Sequence, residues 1–302
     1  MKVLITGANG LLGQKLVALF QEDPNIHVVA TGKGPNRNKP GNYRYAPMDI
    51  TSYKSVESIM GMVTPDVVIN TAAMTNVDQC EMEKEACWEL NVKAVEYLMQ
   101  TCMSNNSFLI HLSTDFIFDG ENGPYDEEDV PNPLSHYAKS KLEAERILEK
   151  SYIKWAVVRT MLVYGVVEDM SRSNIILWVK ESLEGGKQIN VVDDQWRTPT
   201  LAEDLAKGVA LVAKQRAEGI FHVSGKDTLT PYEMASRTAA FFMLDGKLIQ
   251  KVDGSVFTQA AKRPARTGFI LDKAREVLGY EPLSFNEGLR IVRDQLLQKK
   301  DE

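Results

Sequence analysis

Short apolar runs recur along the first half of the chain, each followed by a polar or glycine-containing turn and then by a stretch of helical period. Residues 2–6 (KVLIT), 27–31 (HVVAT), 43–47 (YRYAP), 66–70 (DVVIN), 108–112 (FLIHL) and 155–159 (WAVVR) have strand length and no 3.6-residue repeat. Runs that are apolar on both faces predict parallel strands buried between two layers. Between them lie a predicted helix ending near Gln21, one starting near Thr51, one over residues 82–102 and one starting near Ser135. Asn91 falls inside the third and is expected on its surface. Strand alternating with helix over about 160 residues predicts an α/β doubly wound parallel sheet. Beyond it the pattern is less regular. Helices are predicted over 175–183, 201–214, 232–242, 272–278 and 285–297, with extended segments at 189–192 and 220–223. These pieces predict a smaller C-terminal α/β lobe.

Composition narrows the function classes. The chain has 302 residues, 44% apolar and 25% charged, which is a globular profile with ample core. A net charge of −6 provides no broad basic surface to follow a phosphate backbone, so nucleic acid is not an expected partner. Cys80, Cys87 and Cys102 and the four histidines have no metal-ligand spacing, so the expected metal content is none and the expected compartment is reducing. The first residues run directly into a strand pattern, and no apolar run approaches about 20 residues. The expectation is a cytoplasmic protein with no membrane span.

Strand, glycine turn, helix is the context in which a glycine motif signals a dinucleotide site. Here it reads Gly7-Ala8-Asn9-Gly10-Leu11-Leu12-Gly13. Gly7 permits the tight turn, Gly10 lets backbone approach a pyrophosphate, and Gly13 lets helix pack on strand. The helix N-terminus then offers N–H groups to phosphates. After the second strand the chain reads Gly32-Lys33-Gly34-Pro35-Asn36-Arg37, with no acid to receive a ribose 2′-hydroxyl. Lys33 and Arg37 are either partners for a 2′-phosphate, favouring NADPH over NADH, or solvated loop charges. Asp49, before Ile50 and Thr51, either accepts from an adenine amino group or caps the next helix. Thr71-Ala72-Ala73 after the fourth strand allow close approach of a ligand or tight packing. Ser113-Thr114-Asp115 close the fifth strand at the sheet edge where α/β proteins bind ligands, and their hydroxyls suit a substrate carbonyl. Pro131 and Pro133 lead into a helix carrying Tyr137 and Lys141 on one face. A nearby ammonium favours the phenolate of a tyrosine whose ordinary pKa is near ~10.

Taken together, T-G-x-x-G-x-x-G from Thr6, N-T-A-A from Asn70, S-T-D-F-I-F-D-G from Ser113 and Y-A-K-S-K from Tyr137 resemble the extended short-chain dehydrogenase/reductase superfamily. More narrowly, the chain resembles the dTDP-4-dehydrorhamnose reductase family nearly end to end. Val77-Asp78, Glu81, Asp194-Gln195, Pro199-Thr200, Arg263-Pro264 and Thr267-Gly268 add to the likeness. The resemblance implies a Rossmann-type cofactor domain over residues 1–165, to which segments near 201–224 return. It implies a substrate-binding lobe from residues 166–200 and 225–302. It also implies NADPH as cofactor, with NADH as the alternative, and a nucleotide-linked deoxysugar reduced at a 4-keto group. Tyr137 would be the general acid. Lys141 would bond the nicotinamide ribose and lower the tyrosine pKa. Thr114 would orient the carbonyl and Asp115 would contact the sugar. Gly7, Asn9, Gly10, Leu11, Leu12, Gly13, Lys33, Asp49, Ile50, Thr71, Ala72 and Ala73 would line the cofactor with Tyr137 and Lys141.

Some positions depart from that pattern. Leu162 stands where a tryptophan is common after the sixth strand, and Phe116 where a tyrosine is common. Arg197 replaces a smaller residue and either favours a more anionic substrate or is a solvated charge beside Trp196. Two alternatives follow. One is a nucleotide-sugar epimerase or dehydratase, although the acid pair of a dehydratase is missing after Thr114. The other is a non-catalytic NADP-binding subunit similar to the methionine adenosyltransferase β subunit. Monomer or homodimer is open.

Overall fold

A computed structural model describes residues 1–169, 173–257 and 259–301. The strands are β1 (Lys2–Thr6), β2 (His27–Gly32), β3 (Arg44–Pro47), β4 (Val67–Asn70), β5 (Phe108–Thr114), β6 (Trp155–Thr160), β7 (Val163–Tyr164), β8 (Ile189–Val192), β9 (Thr200–Leu201), β10 (Gly219–His222) and β11 (Ile249–Val252). Seven form one sheet in the order β10-β6-β5-β4-β1-β2-β3, with every pairing parallel. The other four form two short parallel pairs, β7 with β9 and β8 with β11.

The helices are α1 (Leu11–Phe20), α2 (Tyr53–Val63), α3 (Val77–Met82), α4 (Lys84–Trp88), α5 (Ala94–Asn105), α6 (His136–Glu149), α7 (Ile175–Glu184), α8 (Ala202–Gln215), α9 (Pro231–Phe241) and α10 (Phe285–Asp301). One face of the sheet is covered by α1 and α8, through Leu16, Val17, Phe20, Leu205 and Val209. The other is covered by α2, α5 and α6, through Val56, Met60, Leu98 and Leu148. The central strands are therefore buried on both sides, which is why their sequences lack alternation. Past β6, Tyr164, Met234, Phe285 and Leu289 form a separate apolar cluster, and α7, α9 and the β8/β11 pair form another. Residues 219–222 nevertheless extend the main sheet, beside β6.

Sequence signals account for most helix ends. Ser52 and Ser135 cap α2 and α6 through backbone N–H groups two residues into each helix. Thr230, Pro231 and Glu233 form a capping box at α9. Asn106 ends α5 in the left-handed conformation that asparagine tolerates.

Four readings of the sequence are corrected. The stretch 82–102 is not one helix: α3 and α4 are separate, and a π-helical turn, Glu89–Lys93, joins α4 to α5. Asn91 lies in that turn and is fully buried rather than on the surface. Asp49 does not cap α2, because Ser52 does, and the helix begins at Tyr53. The expected helix at 272–278 is a π-helical turn over Ala274–Leu278.

Candidate active site

The sheet order turns at β1, whose neighbours are β2 on one side and β4 on the other. In open α/β sheets such a reversal of strand order leaves a crevice at the carboxyl ends of the strands, where ligands bind. The turn after β1 fills its floor. Gly7 has φ +64°, and a Cβ on it would lie 2.7 Å from the Ala72 nitrogen. A Cβ on Gly13 would lie 2.3 Å from the Gly7 oxygen. Both positions therefore require glycine, one for its left-handed φ and both for close approach. Around Gly10 the nearest atom is 3.3 Å away. No side chain caps α1, so the first-turn N–H groups of Leu11, Leu12 and Gly13 are placed to meet an anion. Thr71 and Ala72 press against this turn, and the Thr71 hydroxyl donates to the Thr6 carbonyl at 2.6 Å. Ala73 follows, half-buried.

Asn9 is fully engaged by the protein. Its amide oxygen accepts from Arg37 N, and its NH2 donates to the Pro35 carbonyl and the Tyr45 hydroxyl. It thus folds the loop after β2 onto the glycine turn. Lys33 and Asp49, expected at opposite parts of a nucleotide, pair with each other at 3.0 Å. The Thr51 hydroxyl and then Lys33 hold the Asp49 carboxyl below its usual range. Arg37 pairs with Asp169 at 3.3 Å. The Ile50 side chain is buried in the core on the α2 side.

Further along the same edge, Thr114, Asp115, Tyr137 and Lys141 are all buried. Burial pushes the Tyr137 phenol well above its usual pKa, with Thr114 acting in the opposite direction and Asp115 adding to the rise. Burial lowers Lys141 to about 8, against the pull of Glu145. The expected depression of Tyr137 is not what the folded chain displays: loss of hydration outweighs the charges nearby. The Tyr137 ring meets the edge of Phe116 at 6.3 Å. Its helix is anchored by Asn91, whose NH2 donates to the Ser140 hydroxyl at 3.0 Å and whose oxygen accepts from Met74 N at 2.8 Å. Glu81 adds a second anchor, accepting from His136 N.

Asp115 has both oxygens occupied. One accepts from Thr114 at 3.2 Å, and the other from the Thr267 hydroxyl, with Arg197 Nε 3.8 Å away. Burial raises its pKa while Arg197 opposes the rise. Arg197 is neither solvated nor unengaged. It is 4% exposed and donates to the carbonyls of Trp196, Ala265 and Pro264. Arg263 likewise reaches Asp78 at 2.6 Å, pinning a C-terminal loop to α3. Leu162 has φ +41°, a strained value for a branched side chain, and is 38% exposed.

Sequence reading passed over His111. It is buried, and its ring lies between Asn70 and Lys141. A histidine inside an otherwise apolar strand was the available signal. The Ser113 hydroxyl is buried with no hydrogen-bond partner, a group that a bound molecule would satisfy. With the tight glycine turn and the uncapped α1, it makes the crevice fit a nicotinamide dinucleotide. Among the described residues no group of three or more His, Cys, Asp or Glu is placed to hold a metal ion.

A family model described as the RmlD substrate binding domain matches residues 1–298. The dTDP-4-dehydrorhamnose reductase of Aggregatibacter actinomycetemcomitans is 30% identical over 304 residues, 97% of this chain and 98% of that protein. Methionine adenosyltransferase 2 subunit beta of Bos taurus is 34% identical over 268 residues, 87% of this chain and 78% of that protein. The crystal structure of dTDP-4-dehydrorhamnose reductase from Bacillus anthracis in complex with NADP superposes with a TM-score of 0.83 at 26% identity, covering 97% of this chain and 99% of that one.

Proposed function

Since the chain belongs to the RmlD substrate binding domain family, we propose that it is an NADPH-dependent oxidoreductase that reduces the 4-keto group of a nucleotide-activated deoxysugar, as the dTDP-4-dehydrorhamnose reductases do. The observation that carries this reading is the buried cluster of Thr114, Tyr137 and Lys141 beside the unpartnered Ser113 hydroxyl. Residues 1–165, with the returning segment 201–224, hold the cofactor. Residues 166–200 and 225–302 hold the sugar nucleotide. Gly7, Gly10, Gly13 and the first turn of α1 receive the pyrophosphate, with Thr71, Ala72 and Ala73 alongside. Lys33 meets the 2′-phosphate by exchanging Asp49 for it.

The cofactor, when bound, supplies a hydride to the ketone carbon. The proton comes from the protein. A Tyr137 phenol held protonated by burial is in the correct state at neutral pH to give its proton to the carbonyl oxygen. The ketone becomes an alcohol, and a phenolate remains to be reprotonated before the next turnover. Thr114 orients the carbonyl oxygen by turning its one O–H from Asp115, to which it donates in the free protein, to the substrate. Asp115, with both oxygens engaged by the protein, acts on the sugar through Thr114. Lys141 bonds the ribose and offsets the charge left on Tyr137. The half-buried crevice lowers the local dielectric and so strengthens each of these interactions.

A second reading is a non-catalytic NADP-binding subunit, favoured by the 34% identity to the methionine adenosyltransferase β subunit and by Leu162. No helix among the described residues is long and apolar enough to cross a membrane. We place the protein in a reducing, cytoplasmic compartment on the separate ground that Cys80, Cys87 and Cys102 are free thiols. The test is loss of reduced-nicotinamide absorbance with NADPH and dTDP-4-dehydro-L-rhamnose. Turnover by the wild type, reduced at least ~100-fold in Tyr137→Phe with NADPH affinity within about threefold, is the expected result. NADPH binding without turnover of any 4-ketosugar would favour the second reading.

A further inference from the structure

A row of buried polar side chains crosses the centre of the sheet. Thr6 on β1 faces Asn70 on β4, and Asn70 faces His111 on β5, at one level of the strand register. The three residues before each of them on its strand, 3–5, 67–69 and 108–110, are apolar. The Thr6 hydroxyl bonds the Asn70 amide at 2.6 Å. The other end of that amide meets His111 Nδ1 at 3.1 Å. His111 Nε2 then lies 3.1 Å from Lys141 Nζ, and Lys141 also donates to the Leu112 carbonyl at 2.5 Å. All four side chains are at most 2% exposed.

Apolar residues in this row would cost the fold nothing, whereas each buried polar group must be satisfied. Here each group satisfies the next, and the row ends on the amine of Lys141. A neutral imidazole has one N–H and one lone pair, and an amide has both a donor and an acceptor. The pair can therefore serve Lys141 whichever way the amine is protonated. Burial holds His111 neutral, and the Lys141 charge acts in the same direction. With the Asn70 oxygen turned to a His111 Nδ1–H, Nε2 accepts from the ammonium, and the Leu112 carbonyl takes a second N–H, which leaves the third for a ligand. The opposite end of the row lies at the glycine turn. Thr6 immediately precedes Gly7, and its carbonyl holds the Thr71 hydroxyl.

We infer that His111 is a positioning residue: with Asn70 and Thr6 it registers the Lys141 amine against the glycine turn, so that the nicotinamide ribose and the pyrophosphate of the dinucleotide are gripped at a fixed separation. This rests on the proposed cofactor site, and not on the identity of the sugar.

The test is NADPH affinity, measured by fluorescence titration, in single variants and in a double-mutant cycle with Lys141→Met. His111→Phe keeps a flat ring of comparable size and removes both nitrogens. It is expected to weaken NADPH about tenfold, the loss typical of one charge-assisted hydrogen bond. His111→Gln, which keeps a donor and an acceptor, is expected within about threefold of wild type. In a Lys141→Met background, His111→Phe should add less than about twofold, because the residue it positions is gone. A residue that merely supports the fold would instead add its full effect there. Thr6→Val tests the far end of the row and covers the case in which His111→Phe does not fold: about a threefold loss is expected, again absent without Lys141. Unchanged affinity in His111→Phe, or additive losses in the cycle, would overturn the inference. Wild-type protein that binds no NADPH would remove the cofactor reading and this inference with it. NADPH binding with no ketosugar turnover would remove only the substrate reading.

Discussion

Replacing Lys141 with methionine should change how folding stability depends on pH, and the structure sets both sign and size. Lys141 is 2% exposed. Burial lowers its pKa from the usual 10.5 to about 8. Below about pH 8 the amine is protonated in both folded and unfolded chains, and the folded chain carries the full cost of a buried cation. Between about 8 and 10.5 the folded chain has released a proton that the unfolded chain still holds. Stability rises with pH wherever the unfolded state binds more protons, by about 1.4 kcal/mol per pH unit for one proton. The wild type should therefore gain about 3 kcal/mol across this window relative to Lys141→Met, which has no proton to release. The other titrating groups, Tyr137 included, are common to both proteins and cancel in the difference to first order. Denaturant unfolding of both proteins near pH 7, 8, 9 and 10 measures that difference directly. A gap between them that stays constant within about 0.5 kcal/mol would show that Lys141 titrates alike in both states and would refute the argument. A wild type that gains on Lys141→Met as the pH rises would mean that the fold bears a destabilising cation at neutral pH, as expected of a group retained for chemistry.

Two further outcomes follow from the site. Lys33→Ala should weaken NADPH by at most about fivefold, the limit for an exposed ion pair worth ~1 kcal/mol, and leave NADH unchanged; parallel titrations with both cofactors decide it, and equal losses would remove Lys33 from the 2′-phosphate. Arg197→Met should destabilise the protein by about 3–5 kcal/mol, because it leaves the buried Asp115 carboxyl without its cation and the Pro264 carbonyl without its donor, and thermal or denaturant unfolding would register the loss. A surface charge would produce almost no change.

Local features of the site were legible in the chain. The strand, the spacing of Gly7, Gly10 and Gly13, and the helix after them are contiguous, and each glycine meets a steric demand set within a few residues or by the next strand. Tyr137 and Lys141 share a helix face because four residues make about one turn. The apolar runs without alternation marked strands covered on both sides, and the sheet has that form. Asn91 was misplaced because a helical pattern carries no sign of a π-turn, nor of the neighbour its amide would find in Ser140. The chain alone leaves Arg197 open between a contact for an anionic substrate and a solvated charge, because nothing near it in the chain reveals that carbonyls from residues 264 and 265 would close around it. Lys33 and Asp49 meet only because β2 and β3 lie side by side. The row from Thr6 through Asn70 and His111 to Lys141 is the clearest case: four residues spread over more than a hundred positions become neighbours through the register of parallel strands and the packing of α6 on the sheet. The sequence by itself therefore determined the candidate reacting groups and the glycine turn, whose geometry depends on short-range sterics and helical period. Which charges are buried, which polar groups satisfy one another and how the lysine amine is aimed were decided by the tertiary structure, because hydration and hydrogen-bond partnership depend on what the fold brings alongside.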